Sequence, residues 1–129
     1  MMKSLLIVED TPDMRAALRL WLACEGFEVT TAEDGSEAIK LLSANQFDVV
    51  VTDLMMPQLD GIELIRRIKA SDQTAHLPVI AITAFDDRFA QLAQATGATL
   101  VIRKPDGLEH LVDQINLILA TAPAEEEAA

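Results

Sequence analysis

Val49-Val50-Val51-Thr52-Asp53 is a β-branched apolar run ending in a single carboxylate, with Leu54-Met55-Met56-Pro57 directly after it. A near-continuous apolar run of this kind belongs to a strand buried on both faces, as in a parallel sheet covered by helices. Asp53 then stands at the carboxyl end of a central strand, where open α/β sheets bind their ligands. Packing offers no reason for a charge at that point, because desolvating an unpaired carboxylate is costly. The other segments can be read as supplying Asp53 with partners.

On either side of this run the hydrophobic period switches back and forth between strand and helix values. Ser4–Val8 reads as a first strand ending in Glu9-Asp10. Thr11-Pro12 opens a helix, with Thr11 as N-cap and Pro12 at the first helical position. Met14, Leu18 and Trp21 give that helix one core face, and Gly26 stops it. Phe27, Val29 and Thr31 alternate with Glu28 and Thr30 in a second strand. Asp34-Gly35-Ser36 is turn chemistry before a helix marked by Ala38, Leu41 and Leu42. The third strand is Phe47–Thr52, followed by a loop over 55–60 and a helix from about Gly61 carrying Ile62, Ile65 and Ile68. Val79–Thr83 is a fourth strand. Asp86-Asp87 starts a helix with Phe89, Leu92 and Ala93 inward, which Gly97 ends. Thr99–Ile102 is a fifth strand, and Leu108–Leu119 a last helix with Leu111, Val112, Ile115 and Ile118 in its stripe. Alternation of this kind implies a flavodoxin-like, doubly wound (βα)5 fold, with a parallel five-stranded sheet in the order 2-1-3-4-5.

The 129 residues fit one domain, expected over 1–121, with 122–129 as a short acidic tail around Glu125-Glu126-Glu127. With 21 acidic residues against 10 basic, the net charge of −11 argues against direct nucleic-acid binding, which needs basic surface. The first apolar stretch is too short for a signal-peptide core or a membrane span, so no membrane association and a cytoplasmic location are expected. The lone Cys24 excludes an internal disulfide framework and reads as a packed helical residue. Trp21 and the phenylalanines read as core, and His76 as a solvated loop residue.

At the strand ends the residue types converge on one chemistry. In the order 2-1-3-4-5, strands one and three are neighbours, so Glu9, Asp10 and Asp53 come together. Three carboxylates at one place repel one another, which raises pKa values or calls in a cation. An all-oxygen cluster without His or Cys suits Mg2+ rather than zinc. Lys104 offers a charge to an anion and Thr83 a hydroxyl. Carboxylates, a divalent cation, a lysine and a hydroxyl together describe a site for phosphoryl transfer.

These residues resemble the receiver domains of two-component response regulators (CheY-like domains). The resemblance runs over roughly residues 4–120, through Glu9-Asp10, Asp53 with Met56-Pro57 and Asp60-Gly61, Thr83-Ala84, and Lys104-Pro105. It implies that Asp53 takes a phosphoryl group from a histidine kinase or a histidine phosphotransfer protein. It also implies Mg2+ held by Asp10, Asp53 and the backbone carbonyl of Met55, with Glu9 reaching the metal through water. Lys104 would pair with one phosphoryl oxygen and Thr83 with another, and the small Ala84 would leave access. The output implied is a shifted surface of the fourth helix, fifth strand and fifth helix, which binds a downstream protein target. The chain would act as a monomer or weak homodimer, and as a signalling domain rather than an enzyme.

Two departures bear on output: Val101, and Asp106-Gly107 after Lys104-Pro105, where the family often has an apolar residue and the start of the last helix is expected to differ. Family members usually carry an aromatic switch residue three positions before the lysine, where this chain has Val101, and valine has no ring to swing. Met55 and Phe85 occupy positions that tune phosphoryl lifetime in the family, and their apolar bulk is expected to hinder attacking water and lengthen it. Other readings are a phosphorylation-independent pseudo-receiver and a receiver excised from a longer regulator. A phosphohydrolase of the haloacid dehalogenase kind would need an aspartate where Met55 stands. A flavin carrier would need hydroxyls and amides in place of the acidic Glu9–Asp13 loop.

Overall fold

In the computed structural model the described residues are 2–54, 60–84, 87–104 and 106–121. They form a parallel sheet of five strands: β1 (Ser4–Val8), β2 (Glu28–Ala32), β3 (Val49–Asp53), β4 (Val79–Thr83) and β5 (Leu100–Arg103). Its spatial order is β2-β1-β3-β4-β5, the order expected from the sequence. The helices are α1 (Pro12–Cys24), α2 (Gly35–Ala44), α3 (Gly61–Ala70), α4 (Asp87–Thr96) and α5 (Leu111–Ala120). Every residue of β3 and β4 is buried, because helices cover both faces of the central strands.

Successive strand residues point to opposite faces, and the core divides accordingly. Leu6, Val8, Val50, Val79 and Ala81 pack with Ala38 and Leu42 of α2, Leu64, Ile65 and Ile68 of α3, and Ala93 of α4. Leu5, Ile7, Val49, Val51, Ile80 and Ile82 pack on the other face with Leu18 and Leu22 of α1 and Leu111 and Ile115 of α5. Asp34 and Asp60 cap α2 and α3: each carboxylate accepts from the amide three residues on, Glu37 or Glu63, at 2.8 Å. Gly26 and Gly97 follow α1 and α4 with φ of 98° and 131°, backbone that glycine reaches without a Cβ penalty.

Several local expectations change. The third strand starts at Val49 rather than Phe47; Phe47 is core, but pairing reaches only the Asp48 amide, which donates to Ser4 O at 2.8 Å. The fifth strand is shifted one residue, because Thr99 uses its hydroxyl to accept from the Val79 amide at 3.1 Å. A 3-10 turn over Asp106–His110 precedes α5, so the last helix begins at Leu111 rather than Leu108. Thr11 stands at the N-cap of α1, yet its side chain makes no capping bond. Leu92 is 49% exposed, and Ala90 and Ala93 form the buried side of α4 instead. Cys24 is exposed at the last residue of α1, not packed, while Trp21 and Phe89 are half-buried. His76 is exposed, as expected. The 55–59 loop, Phe85, Asp86, Pro105 and the 122–129 tail lie outside the described residues. No helix among the described residues is long and apolar enough to cross a membrane.

Candidate functional site

The carboxyl ends of β1, β3 and β5 meet on one side of the sheet. Glu9 continues β1, its amide donating to Ala32 O of β2 at 3.0 Å, and the residue is only 2% exposed. The Thr11 amide donates to Glu9 Oε2 at 3.1 Å and pins that carboxylate inward. Asp10 is half-buried beside it. Asp53 ends β3 at 8% exposure, and its carbonyl accepts from the Thr52 hydroxyl at 2.9 Å. Carboxylate oxygens of Glu9, Asp10 and Asp53 all lie within 4.8 Å of one another.

Asp53 is held from behind by α3. The Leu54 amide donates to Ile82 O at 3.0 Å, and Leu54 O accepts from the Gly61 amide at 3.2 Å. A Cβ on Gly61 would stand 2.4 Å from Asp53 O and 2.6 Å from Leu54 Cα. The start of α3 can lie against this backbone only because residue 61 is glycine.

Lys104 enters from β5. Its amide donates to Thr83 O at 2.9 Å, which extends the β4–β5 ladder past Arg103. Its Nζ donates to Asp53 Oδ2 at 3.1 Å and Glu9 Oε1 at 3.4 Å. Burial works to lower the Lys104 pKa, but Asp53 and then Glu9 attract the charge more strongly and push it up. Glu9 is pushed up from the ordinary carboxylate value, first by burial and then by the charge of Asp53. The Thr11 amide and Lys104 pull the other way. One lysine against three carboxylates leaves negative charge uncompensated, and the donors are all oxygen. Such a cluster fits a hard divalent cation.

The predicted Glu9, Asp10, Asp53 and Lys104 are thus brought together. Thr83 is fully buried at the end of β4 and reaches the site through its carbonyl on the Lys104 amide. Ala84 is exposed beside it. Val101 is half-buried, paired in register with Ala81 and packed, like Phe89 and Ala98, against the core cluster on the α2–α4 face of the sheet. The Met55 carbonyl and Phe85 fall outside the described residues. Sequence reasoning missed Arg15, whose Nη1 donates to Glu9 O at 3.0 Å. A cation near the start of a helix runs against the helix dipole, and that was the available signal. An open cavity of about 950 Å³ lies at the opposite end of the strands, lined by Ser4, Glu28, Asp48 and His76 among others. Among the described residues the acidic cluster is elsewhere, so chemistry rather than volume selects the site.

Residues 5–116 match the family model described as the response regulator receiver domain. The chain belongs to that family. The response regulator MprA of Mycobacterium sp. (strain KMS) is 35% identical over 123 residues, which are 95% of this chain and 53% of that protein. This chain therefore spans about half the length of the curated relatives it matches. Among solved structures, the Vibrio cholerae chemotaxis protein CheY4 superposes with a TM-score of 0.85 at 29% identity, covering 92% of this chain and 99% of that one. The response regulator TrrA of Thermotoga maritima, solved in complex with Mg(2+)-BeF, gives a TM-score of 0.81 at 29% identity, with 91% and 99% covered. This receiver domain therefore shares both the predicted fold and the predicted family.

Proposed function

We propose that this receiver domain is a phospho-acceptor signalling module in which Asp53 is the acceptor. The observation that carries the reading is the Asp53 carboxylate, buried at the end of β3, bonded to Lys104 at 3.1 Å and clustered with Glu9 and Asp10. A carboxylate oxygen of Asp53 attacks the phosphorus of a phosphohistidine on a histidine kinase or histidine phosphotransfer protein. The new P–O bond forms as the P–N bond breaks, leaving an acyl phosphate on Asp53 and a free imidazole on the donor. Asp10 and Asp53, with the carbonyl of Met55, would hold Mg2+, and Glu9 would reach it through water. Bound there, Mg2+ supplies charge neutralisation for the phosphoryl oxygens. Lys104 is already tethered through its amide to β4, so it exchanges Asp53 Oδ2 for a phosphoryl oxygen without reorganising its backbone. Thr83 contributes its hydroxyl, and the modified site biases the surface that includes Val101 toward binding a downstream protein. The module acts in the cytoplasm as a monomer or weak homodimer, either freestanding or as one part of a longer regulator.

Val101 favours a second reading, a pseudo-receiver that binds its partner without phosphorylation. Intact mass after incubation with acetyl phosphate and Mg2+ separates the two. One added phosphoryl group, absent from Asp53→Asn and absent without Mg2+, is expected. No addition from acetyl phosphate or from a phosphorylated histidine phosphotransfer protein would overturn the acceptor reading.

A further inference from the structure

Arg15 is the fourth residue of α1, close to a helix start where the macrodipole disfavours positive charge. Its half-buried side chain turns back toward β1, where Nη1 donates to the carbonyls of Glu9 at 3.0 Å and Asp10 at 3.4 Å. Those carbonyls belong to the two peptide groups flanking the Asp10 Cα. Each peptide group is planar, so fixing both oxygens restrains φ and ψ of Asp10 and therefore the direction of its Cα–Cβ bond. The brace has a firm foot, since the Arg15 amide donates to Thr11 O at 2.9 Å. Glu9 is oriented separately, by the Thr11 amide on its own carboxylate. Arg15 acts on the backbone under Asp10 and leaves the carboxylates themselves to a cation.

We infer that Arg15 is a positioning residue, which holds the β1–α1 bend so that the Asp10 carboxylate faces Asp53 and Glu9 as one preorganised cation site. The inference rests on the reading of this cluster as the Mg2+ site. Groups that orient metal ligands from behind typically govern affinity about ten- to a hundredfold. Both bonds leave from Nη1, which lies one bond farther from Cα than a lysine Nζ, so Arg15→Lys keeps the charge but falls short of the two carbonyls.

The test is Mg2+ titration calorimetry on the whole chain, for the native protein and for Arg15→Ala, Arg15→Lys and Arg19→Ala. Thermal unfolding and hydrogen exchange of the Thr11 amide are followed without metal. Arg15→Ala should bind Mg2+ about tenfold more weakly. Arg15→Lys should be intermediate, and Arg19→Ala, exposed on the same helix, should be unchanged. The Thr11 amide should exchange faster in Arg15→Ala while global unfolding stays close to native. Native affinity in Arg15→Ala, beside a native protein that binds Mg2+, overturns the brace alone. Native affinity in Arg15→Lys overturns it too, by showing that charge suffices. A native protein that binds no Mg2+ overturns the cation site and the brace together. Should Arg15→Ala unfold, Arg15→Lys and its Thr11 exchange rate decide the matter.

Discussion

Replacing Gly61 with alanine reverses the usual sign of a helix substitution. At an open helical position the change would stabilise the fold by about 0.5–1 kcal/mol, because glycine loses the most freedom on folding. Here the added Cβ meets Asp53 O at 2.4 Å and Leu54 Cα at 2.6 Å, about 1 Å inside ordinary carbon contact. Both neighbours are backbone atoms of a fully buried strand end, so neither can rotate away. The helix start must retreat, which stretches the bond from the Gly61 amide to Leu54 O, now 3.2 Å. Overpacking costs about 1–3 kcal/mol and a weakened buried hydrogen bond about 1 kcal/mol. After the propensity gain, a net loss of about 2–3 kcal/mol remains. For a domain of this size that lowers Tm by about 10 °C. Urea unfolding of Gly61→Ala against the native chain measures the loss directly, and phosphoryl incorporation should also fall because the displaced backbone carries Asp53. A variant within 0.5 kcal/mol of native would refute the close-approach argument.

Lys104→Met should raise the Glu9 pKa further, since one of the two influences holding it down is removed, and carbon-13 NMR titration of the Glu9 carboxyl measures this. A carboxyl whose folded pKa is raised stabilises the fold below its unfolded value of 4.5 and loses that contribution as pH rises through the folded value. The variant's stability deficit should therefore grow from pH 4 toward neutrality. The same variant should bind Mg2+ more tightly while accepting phosphoryl groups more slowly, because Lys104 competes for the cluster but serves the transferred group. Glu63 is held down to about 2 by Arg66 and then Arg67 on the surface of α3. Its contribution is present above its ordinary value of 4.5 and lost as pH falls toward about 2; 1 M salt should move its NMR titration back up. Asp34→Ala should cost about 1 kcal/mol in urea unfolding through loss of the α2 cap, without altering Mg2+ affinity.

The strand order and the meeting of Glu9, Asp10, Asp53 and Lys104 were legible in the chain itself. An apolar run hides between helices, parallel crossovers have one hand, and in the flavodoxin-like order the first and third strands lie side by side. Residue type and position at a strand end were enough to nominate the carboxylates. Local periodicity did less well where a tertiary partner overrides it. Leu92 has helical spacing but faces solvent, because smaller residues, Ala90 and Ala93, fill the narrow space against the sheet. The last helix begins at Leu111 because a 3-10 turn takes up the residues before it, although Leu108 fits the same apolar stripe.

What the sequence determined by itself was therefore the fold and the chemical character of the site, both set by pattern and by the cost of burying charge. Only the tertiary structure decided how that site is held. The Arg15 Nη1 on the carbonyls flanking Asp10, the approach of Gly61 to the Asp53 backbone, and the reach of Lys104 across to Glu9 each depend on distances of a few ångströms. Those distances join residues up to 95 positions apart in sequence, a separation that no local period can encode.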